Sequence, residues 1–281
     1  MNDRQSSLQL QGTNLVTIAV LKSVQINQTI NFLYNQVFSL TTRVLFQHAL
    51  INYNVESQPA DTQFGSAYTD LSTAISTQSQ ILEGRVYSPD FVLLPNLTVS
   101  TVTYSLPDAL WPTTIPPISA GSNETSAGQL LGPLPIADVP GSYALSLTIP
   151  VVNTNTSSTP VILGYMSCIL TASGLLKAVN DSTGMGATGQ LLVVAQNGSQ
   201  YDVVLPPLRT PQIYEEDFLP RQYPAVDLAF ANKTGPGYLI DTHNAAGDSV
   251  SVGYTVHSPF LGVGRVVDSS YPPYDTSPGQ S

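Results

Sequence analysis

The sequence predicts an α+β protein in which one long N-terminal helix carries two modules, each built on an antiparallel sheet. Three observations predict this class. The residues from about Asn14 to Tyr53 include no Pro and no Gly, so a single helix can run through them. From Arg85 onwards the apolar residues fall instead in short, β-branched or alternating runs that Pro, Gly and Asn separate. After the first helix, the order of a helix followed by strands occurs twice, which indicates two modules.

The first helix carries an apolar stripe at helical spacing. This stripe, called the seam below, consists of six residues that step by four or three positions: Ile26, Ile30, Leu33, Val37, Leu40 and Val44. A period of 3.5 residues is also that of a coiled coil. Phe32, Phe38 and Phe46 lie off the seam, so a second face is apolar, whereas docking on one core needs only one stripe. We therefore expect the seam or its aromatic flank to form a parallel homodimer contact.

The first module begins after the turn region NYNVESQPADT. A second predicted helix has five residues at helical spacing, four of them apolar, and ends at Glu83-Gly84; the five are Ala67, Leu71, Ala74, Gln78 and Ile81. Four runs then predict strands: RVYSPDFVLL, LTVSTVTYSL, SYALSLTIPVV and VILGYMSCIL. Between the second and third runs, PTTIPPISAGSNETSAGQLLGPLP is rich in Pro, Ser and Gly and is predicted to be a loop.

The second module repeats this order on a smaller scale. TASGLLKAVND predicts a brief helix with Thr171 or Ser173 as its cap, and GQLLVVAQNGSQYDVVLPP predicts two strands that turn at Asn197-Gly198. A short helix and three strands follow, and the tail is Pro-rich and predicted to be disordered. The predicted limits are 1–55 for the stalk helix, 56–171 for the first module, 172–270 for the second and 271–281 for the tail. Such an order is typical of tandem PAS-like extracellular sensor modules.

Composition narrows the function classes. Only 10% of residues are charged, the formal net charge is −10 and no basic run occurs, so nucleic acid is not an expected partner. The single cysteine, Cys168, excludes a disulfide within the chain and a thiolate metal site. No run approaches the roughly 20 apolar residues that a membrane span needs. The N-terminal MNDRQSSLQL also lacks the apolar core of a secretory signal.

Seven N-x-S/T triplets, the acceptor signal for N-linked glycans, indicate a chain that passes through the secretory pathway. They begin at Asn27, Asn96, Asn123, Asn155, Asn180, Asn197 and Asn232. Because 57 of the 281 residues are Ser or Thr, coincidence is the alternative explanation. A sequence with many acceptor sites and no export signal is expected to be the exported part of a longer protein whose membrane anchors lie outside it.

Three blocks carry a resemblance to a known family. The segment from Gln28 to Gln36 matches the pattern Q-x-(L/I)-N-(Y/F)-L-Y-x-Q, and SVGYTVHSPF matches a strand in which Gly253 and Tyr254 are aligned. In GYMSCILTASGLLKAVNDSTG the matching residues are Gly164, Tyr165, Ser173, Gly174, Leu175, Asn180, Asp181 and Thr183. These blocks resemble the ectodomain of the fungal transmembrane osmosensing hybrid histidine kinases, of the yeast osmosensor type. The resemblance extends over roughly residues 20 to 270, is strong in two blocks and weak in the loops, and the tail departs from the family at YPPY (271–274).

The resemblance implies a double-Cache-type ectodomain on the extracellular face of the plasma membrane. The first module would be membrane-distal and the second membrane-proximal. The membrane spans, the cytoplasmic kinase and the receiver would lie outside this sequence.

The sequence lacks the short motifs of common enzymes. G-x-S-x-G, H-E-x-x-H, a P-loop and paired D-x-D ligands are all missing, so we expect no catalysis, no metal and no cofactor. The alternative is a secreted cell-wall glycoside hydrolase or adhesion module, because two well-placed carboxylates leave no local motif. The acidic cluster that this alternative would use is Glu215, Glu216 and Asp217.

A small-molecule site is a further hypothesis. Arg85, Tyr87, Trp111 and Tyr143 fall where the first module would form the cradle of its sheet. An arginine beside aromatic rings can bind a carboxylate through two parallel hydrogen bonds. The alternative is a surface arginine beside ordinary core aromatics.

The resemblance therefore implies a sensor that detects osmotic or turgor stress and controls a phosphorelay through a homodimer. Tension would shift the first helix relative to the last strand, and the kinase would respond to this two-state change. A ligand-gated sensor of the same fold is the alternative, with a small molecule or a cell-wall component as its ligand.

Overall fold

The computed structural model describes residues 2–54, 60–115, 128–153, 161–185, 189–197, 200–205, 217–218, 224–232, 235–243, 249–257 and 265–271. The chain divides into two compact units, named here for their place in the sequence. The central unit is Thr29–Gly174, and the terminal unit combines Met1–Gln28 with Leu175–Ser281. This division falls inside the first helix and after residue 174, whereas the predicted limits are 55 and 171.

A long N-terminal helix is present, but the prediction of one unbroken helix from Asn14 to Tyr53 is wrong. Helix α1 spans Asn2–Thr41 and α2 spans Val44–Asn54. The hydroxyls of Thr41 and Thr42 donate hydrogen bonds to carbonyls of the preceding turn, at 2.8 and 3.2 Å. Such side chains compete with the helical pattern. The side-chain amide of Gln47 then donates through its Nε2 to the carbonyl of Thr41 at 2.9 Å, which satisfies one of the groups left at the end of α1.

In the central unit, helices α2 and α3 pack together and contact a five-stranded antiparallel sheet of order β2-β1-β5-β4-β3. The elements are α3 (Ala60–Ser76), β1 (Ile81–Tyr87), β2 (Val99–Ser100), β3 (Gln129–Pro135), β4 (Tyr143–Asn153) and β5 (Val161–Thr171). Short 3₁₀ turns occupy Pro95–Leu97 and Asp108–Leu110. Strand β3 lies within the segment predicted to be a loop, and LTVSTVTYSL supplies only the two residues of β2.

Helix α3 is shorter than predicted, because the residues expected to end it belong to strand β1. The prediction that this helix reaches Gly84 is wrong: α3 ends at Ser76, and Ile81 opens the strand. Gly84 is not a helix cap. A Cβ at this position would lie 2.9 Å from the Cδ1 of Ile75, so the glycine makes room for α3 above the sheet.

The terminal unit has a six-stranded antiparallel sheet of order β8-β7-β6-β11-β10-β9. Its elements are α4 (Ser173–Asn180, of which the last six residues belong to this unit), β6 (Gln190–Asn197), β7 (Gln200–Leu205), β8 (Asp217–Phe218), α5 (Pro224–Asn232), β9 (Gly237–His243), β10 (Ser249–His257) and β11 (Arg265–Tyr271). Asn197 of the predicted turn is the last residue of β6 and pairs with Gln200 of β7, and Gly198 lies outside the described residues. Residues 272–281 of the predicted disordered tail lie outside the described residues.

Two glycines set how closely α1 approaches the sheet of the terminal unit. A Cβ on Gly253 of β10 would lie 2.4 Å from the carbonyl carbon and oxygen of Leu15. A Cβ on Gly12 of α1 would lie 2.4 Å from the ring of Tyr238 in β9. At both positions the helix and a strand are in such close contact that any residue larger than glycine would push them apart.

Candidate functional site

The candidate site lies on the face of the central sheet opposite to α3. Neighbouring strand residues point to opposite faces, so Gly84 faces α3 while Arg85 faces the other side. That side is covered by a cluster of buried apolar residues: Leu110, Trp111, Ile136, Ala144 and Ile169. The 3₁₀ turn at Asp108–Leu110 brings Trp111 onto the sheet.

Arg85 is held by two of its neighbours. Its Nε donates to Glu83 Oε1 at 2.8 Å, and its guanidinium carbon lies 3.7 Å from the ring centroid of Trp111. This is a cation–π arrangement beside an ion pair in which Glu83 and Arg85 side chains are 14% and 29% exposed. The paired charges cancel, so the site presents no net charge of its own.

Aromatic rings extend this site along the strand. Tyr87 stacks on Phe91 with ring centroids 4.6 Å apart, and Phe91 meets the edge of Tyr165 at 5.5 Å. Burial raises the pKa of the Tyr87 hydroxyl, and the nearby charge and hydrogen bond of Arg85 oppose that rise. Tyr87 is thus a neutral, buried member of the site.

A row of polar side chains crosses the sheet next to Arg85. The strand registers pair Arg85 with Ser167, Ser167 with Thr148, and Thr148 with Gln129, through β1, β5, β4 and β3. Thr148 Oγ1 donates to Ser167 Oγ at 2.9 Å, and both side chains are fully buried. Gln129 Oε1 is buried and accepts no hydrogen bond. This polar row could hydrogen-bond a hydroxyl or amino group placed at its β3 end.

The four residues predicted to bind a ligand do not form one group. Arg85, Tyr87 and Trp111 share the site. Ala144 of β4 faces this site, and neighbouring strand residues point to opposite faces, so Tyr143 lies on the other face of the sheet. The polar row was missed from the sequence. Its signal was the placement of Ser146, Thr148 and Ser167 within otherwise apolar strands.

An open cleft lies elsewhere in the central unit. Its volume is about 510 Å³, and it is bounded by the end of α2, by Phe64 of α3 and by the loop from Ser88 to Asn96. None of the four predicted ligand residues lines it. The candidate site around Arg85 and this cleft are therefore separate features of the central unit.

Within the described ranges, no group of three or more His, Cys, Asp or Glu could hold a metal ion. The single thiol, Cys168, is buried, and burial raises its pKa. Glu215 and Glu216 of the acidic cluster lie outside those ranges, and Asp217 opens β8. Among the helices that the structure describes, none has the length and apolar character needed to cross a membrane.

The predicted glycan acceptors fall in several settings. Asn96 and Asn180 are exposed, and Asn27 is half-exposed on α1. Asn197 ends β6 and Asn232 ends α5. Asn123 and Asn155 lie outside the described residues.

The seam of α1 is largely buried within the chain itself. Ile26, Ile30, Leu33, Val37 and Leu40 are each at most 5% exposed. Val44 is 66% exposed, because the break after Thr41 places it at the start of α2. On α1, the apolar residues that remain exposed lie off the seam, among them Leu10, Leu21, Phe32 and Phe38.

Solved structures show which class of fold this is. The periplasmic sensory domain of the Campylobacter jejuni chemoreceptor Tlp1 matches with a TM-score of 0.58 and 11% identity, covering 98% of this chain and 99% of that one. The extracellular domain of vpHK1S-Z8, described as a histidine kinase, matches with 0.60 and 10%, covering 94% and 96%. The ligand-binding domain of the Pseudomonas aeruginosa amino acid chemoreceptor PctC, in complex with GABA, matches with 0.56 and 17%, covering 93% and 99%. The chain thus has the mixed helical and antiparallel-sheet fold of Cache or PAS-like sensor domains.

A yeast protein kinase is similar to this chain in sequence. The osmosensing histidine protein kinase SLN1 of Saccharomyces cerevisiae is 26% identical over 256 residues. The alignment covers 88% of this chain and 21% of that kinase, so the chain spans about a fifth of the relative's length. No protein-family model matches the chain.

Proposed function

We propose that this chain is the extracellular sensor domain of a membrane-bound hybrid histidine kinase that responds to osmotic or turgor stress and controls a phosphorelay. The similarity to an osmosensing kinase along 88% of the chain carries the proposal. The fold shared with sensory domains of receptors supports it. In this role the chain is non-catalytic, and the membrane spans, the kinase and the receiver belong to the rest of the protein.

The internal pairing of the candidate site favours a mechanical stimulus. The carboxylate of Glu83 already accepts a hydrogen bond from the guanidinium of Arg85, and the hydroxyl of Thr148 donates to that of Ser167. A ligand carboxylate would have to displace Glu83 to reach the guanidinium. A mechanical sensor needs no such exchange, only two packings that differ by a few kcal/mol and that tension can bias.

Helix α1 supplies an element on which tension could act. In the terminal unit its backbone lies against Gly253, and Lys22 bonds to Asp181 at 2.8 Å. Both contacts depend on the position of α1 along its axis, and a shift of α1 by one residue or one turn would break them. A shift of α1 would therefore exchange one discrete packing for another.

The homodimer we propose uses the exposed face of α1. Leu10, Leu21 and Phe32 are 64%, 62% and 55% exposed and are spaced by 11 residues, which keeps them on one side of a helix. Between residues 5 and 42 the only charged residue is Lys22, which is buried, so two copies of this face would not repel each other. Asn27 lies roughly 120° around the helix from Leu21, where a glycan would not block the contact.

The proposed function is tested in the full-length receptor that contains this chain. Receiver phosphorylation would be measured in cells after upward and downward shifts of osmolarity, with a kinase-inactive receptor as control. We expect the output to change with osmolarity and the change to disappear when the chain is deleted between the two spans. An unaltered response without the chain would overturn the proposal.

A ligand-gated sensor is the second candidate, and the unpaired Gln129 Oε1 favours it. Calorimetric titration of the isolated chain with amino acids and cell-wall oligosaccharides would test it. Saturable binding that Gln129→Leu abolishes would select this candidate over the mechanical one.

A further inference from the structure

We propose that the cleft at the end of α2 holds the first sugars of an N-linked glycan attached to Asn96. Asn96 is exposed, lines the cleft and begins the acceptor triplet Asn96-Leu97-Thr98. The cleft measures about 510 Å³, within the range of about 300–1,000 Å³ of small-molecule sites. Neither of the other described acceptors with a solvent-accessible side chain, Asn27 and Asn180, lines it.

The lining of the cleft has the chemistry of a sugar site. Phe64 and Leu94 are buried in its lining, and the ring of Tyr53 lies 5.1 Å from that of Phe64 and is tilted by 51°. A pyranose ring presents C–H groups on its faces and hydroxyls around its edge. Its faces can therefore pack on aromatic and aliphatic side chains while its edge stays hydrogen-bonded.

The rim of the cleft exposes apolar surface that a sugar would cover. Val92 is 62% exposed and Leu93 is 38% exposed. Removing such surface from water is favourable in proportion to the area covered. Asp90 on the same loop is exposed and can accept hydrogen bonds from sugar hydroxyls.

Attachment at the rim favours a sugar linked to Asn96 over a free sugar as the occupant of the cleft. A sugar linked to Asn96 is always within reach of the cleft, so its effective concentration there is high even when each contact is weak. This occupant rests on the part of the proposed function that places the chain on the extracellular face of the membrane, and it is independent of osmosensing.

Thr98 provides a clean way to remove the glycan. Its Oγ1 is buried and has no hydrogen-bond partner, so Thr98→Val deletes the acceptor triplet without the loss of a bond. Asn96 and the other residues that line the cleft stay unchanged. Thr98→Ser keeps the triplet and serves as the matched control.

The experiment compares protein made in a glycosylating host with protein made in a bacterial host. We expect peptide mapping to find Asn96 occupied in the wild type and in Thr98→Ser, and free in Thr98→Val. The melting temperature of Thr98→Val minus that of wild type should be roughly 2–4 °C lower in the glycosylated set than in the bacterial set, which carries the effect of the substitution alone.

A second measurement locates the sugar. An endoglycosidase that leaves one sugar on each asparagine should keep most of the stabilisation, and it should act more slowly at Asn96 than at Asn180. An unoccupied Asn96, a Thr98→Val effect on the melting temperature that is the same in both hosts, or equal rates of cleavage at both sites would each overturn the proposal.

Discussion

Lys22 of α1 and Asp181, the residue that follows α4, form a clasp within the terminal unit. Lys22 Nζ donates to Asp181 Oδ2 at 2.8 Å and to the carbonyl of Ala178 at 3.3 Å. The Lys22 side chain is only 5% exposed, whereas that of Asp181 is 39% exposed. Hydrogen bonds from Lys22 and Thr183 hold the pKa of Asp181 well below its usual range. The clasp fixes α1 against the turn that follows α4.

We expect Asp181→Ala to destabilise the protein more than Lys22→Met does. The first change leaves a buried ammonium without its carboxylate, whereas the second removes the charge and keeps most of the apolar stem. Because Asp181 is partly exposed to water, we expect a cost of about 1–3 kcal/mol for its loss rather than that of a fully buried pair. Urea unfolding would measure both, with exposed Lys177→Met of α4 as the matched control. An equal cost for Lys22→Met and Lys177→Met would contradict the assigned role.

The clasp also predicts a loss of stability in acid. The folded-state pKa of Asp181 lies below its unfolded value of about 3.9, so the carboxylate contributes stability above that pH and loses it as the pH falls. Asp70 in the central unit behaves in the same way, because a hydrogen bond from Arg43 lowers its pKa. Urea midpoints measured from pH 7 to pH 3 should fall less steeply in Asp181→Asn than in wild type. Parallel curves would show that Asp181 is not paired in solution.

A pair of glycine substitutions tests how closely α1 lies on β10. Gly253→Ala should cost about 1–3 kcal/mol, because its Cβ would fall 2.4 Å from the backbone of Leu15. Gly65→Ala in α3 should instead stabilise the protein by about 0.5–1 kcal/mol, because a Cβ there meets nothing within 4 Å. Urea unfolding would measure both changes. If Gly253→Ala were neutral, the helix would not rest on this strand.

The local sequence predicted most of the helices and strands in their order, and two of the places where it failed have clear physical causes. The sequence pattern predicts that Gly84 ends a helix, yet Gly84 is a strand residue that makes room for Ile75. Glycine serves both purposes, and only the packing of α3 distinguishes them. The break after Thr41 depends likewise on threonine hydroxyls that donate to backbone carbonyls of the preceding turn, and on the side-chain amide of Gln47, six residues away.

The candidate site was predictable only in part for a similar reason. Arg85 and Trp111 were expected together and lie in contact. The polar row from Ser167 to Gln129 depends on the register between strands far apart in sequence, which no local pattern specifies. Tyr143 failed to join the group because a single residue of register decides which face a strand residue occupies.

Trp111 is the only tryptophan of the chain, so its fluorescence reports on the site directly. We expect Arg85→Met to change this emission and to destabilise the protein by about 1–3 kcal/mol, because the Glu83 carboxylate loses its partner at 2.8 Å. The double change Glu83→Gln with Arg85→Met should recover part of that loss. Tryptophan emission during urea unfolding measures both quantities. A double variant as unstable as the sum of the single ones would show that the two side chains do not interact.

The last prediction concerns the exposed face of α1 in the full-length receptor. Single cysteines at Leu10, Leu21 and Phe32 should crosslink two copies, because these positions are exposed and share one side of the helix. Seam positions such as Ile30 and Val37 are buried within the chain and should not crosslink. Asn27→Cys, half-exposed and roughly 120° from Leu21, is the control for accessible cysteines off the face. Buried Cys168 should first be changed to Ser, so that each variant holds one reactive thiol. The membrane spans would keep the two copies close, so crosslinks should form in membranes even if the isolated chain is monomeric. Crosslinking at Asn27 as strong as at Leu21, or none at any position, would remove this face from the dimer and with it the dimer-based mechanism.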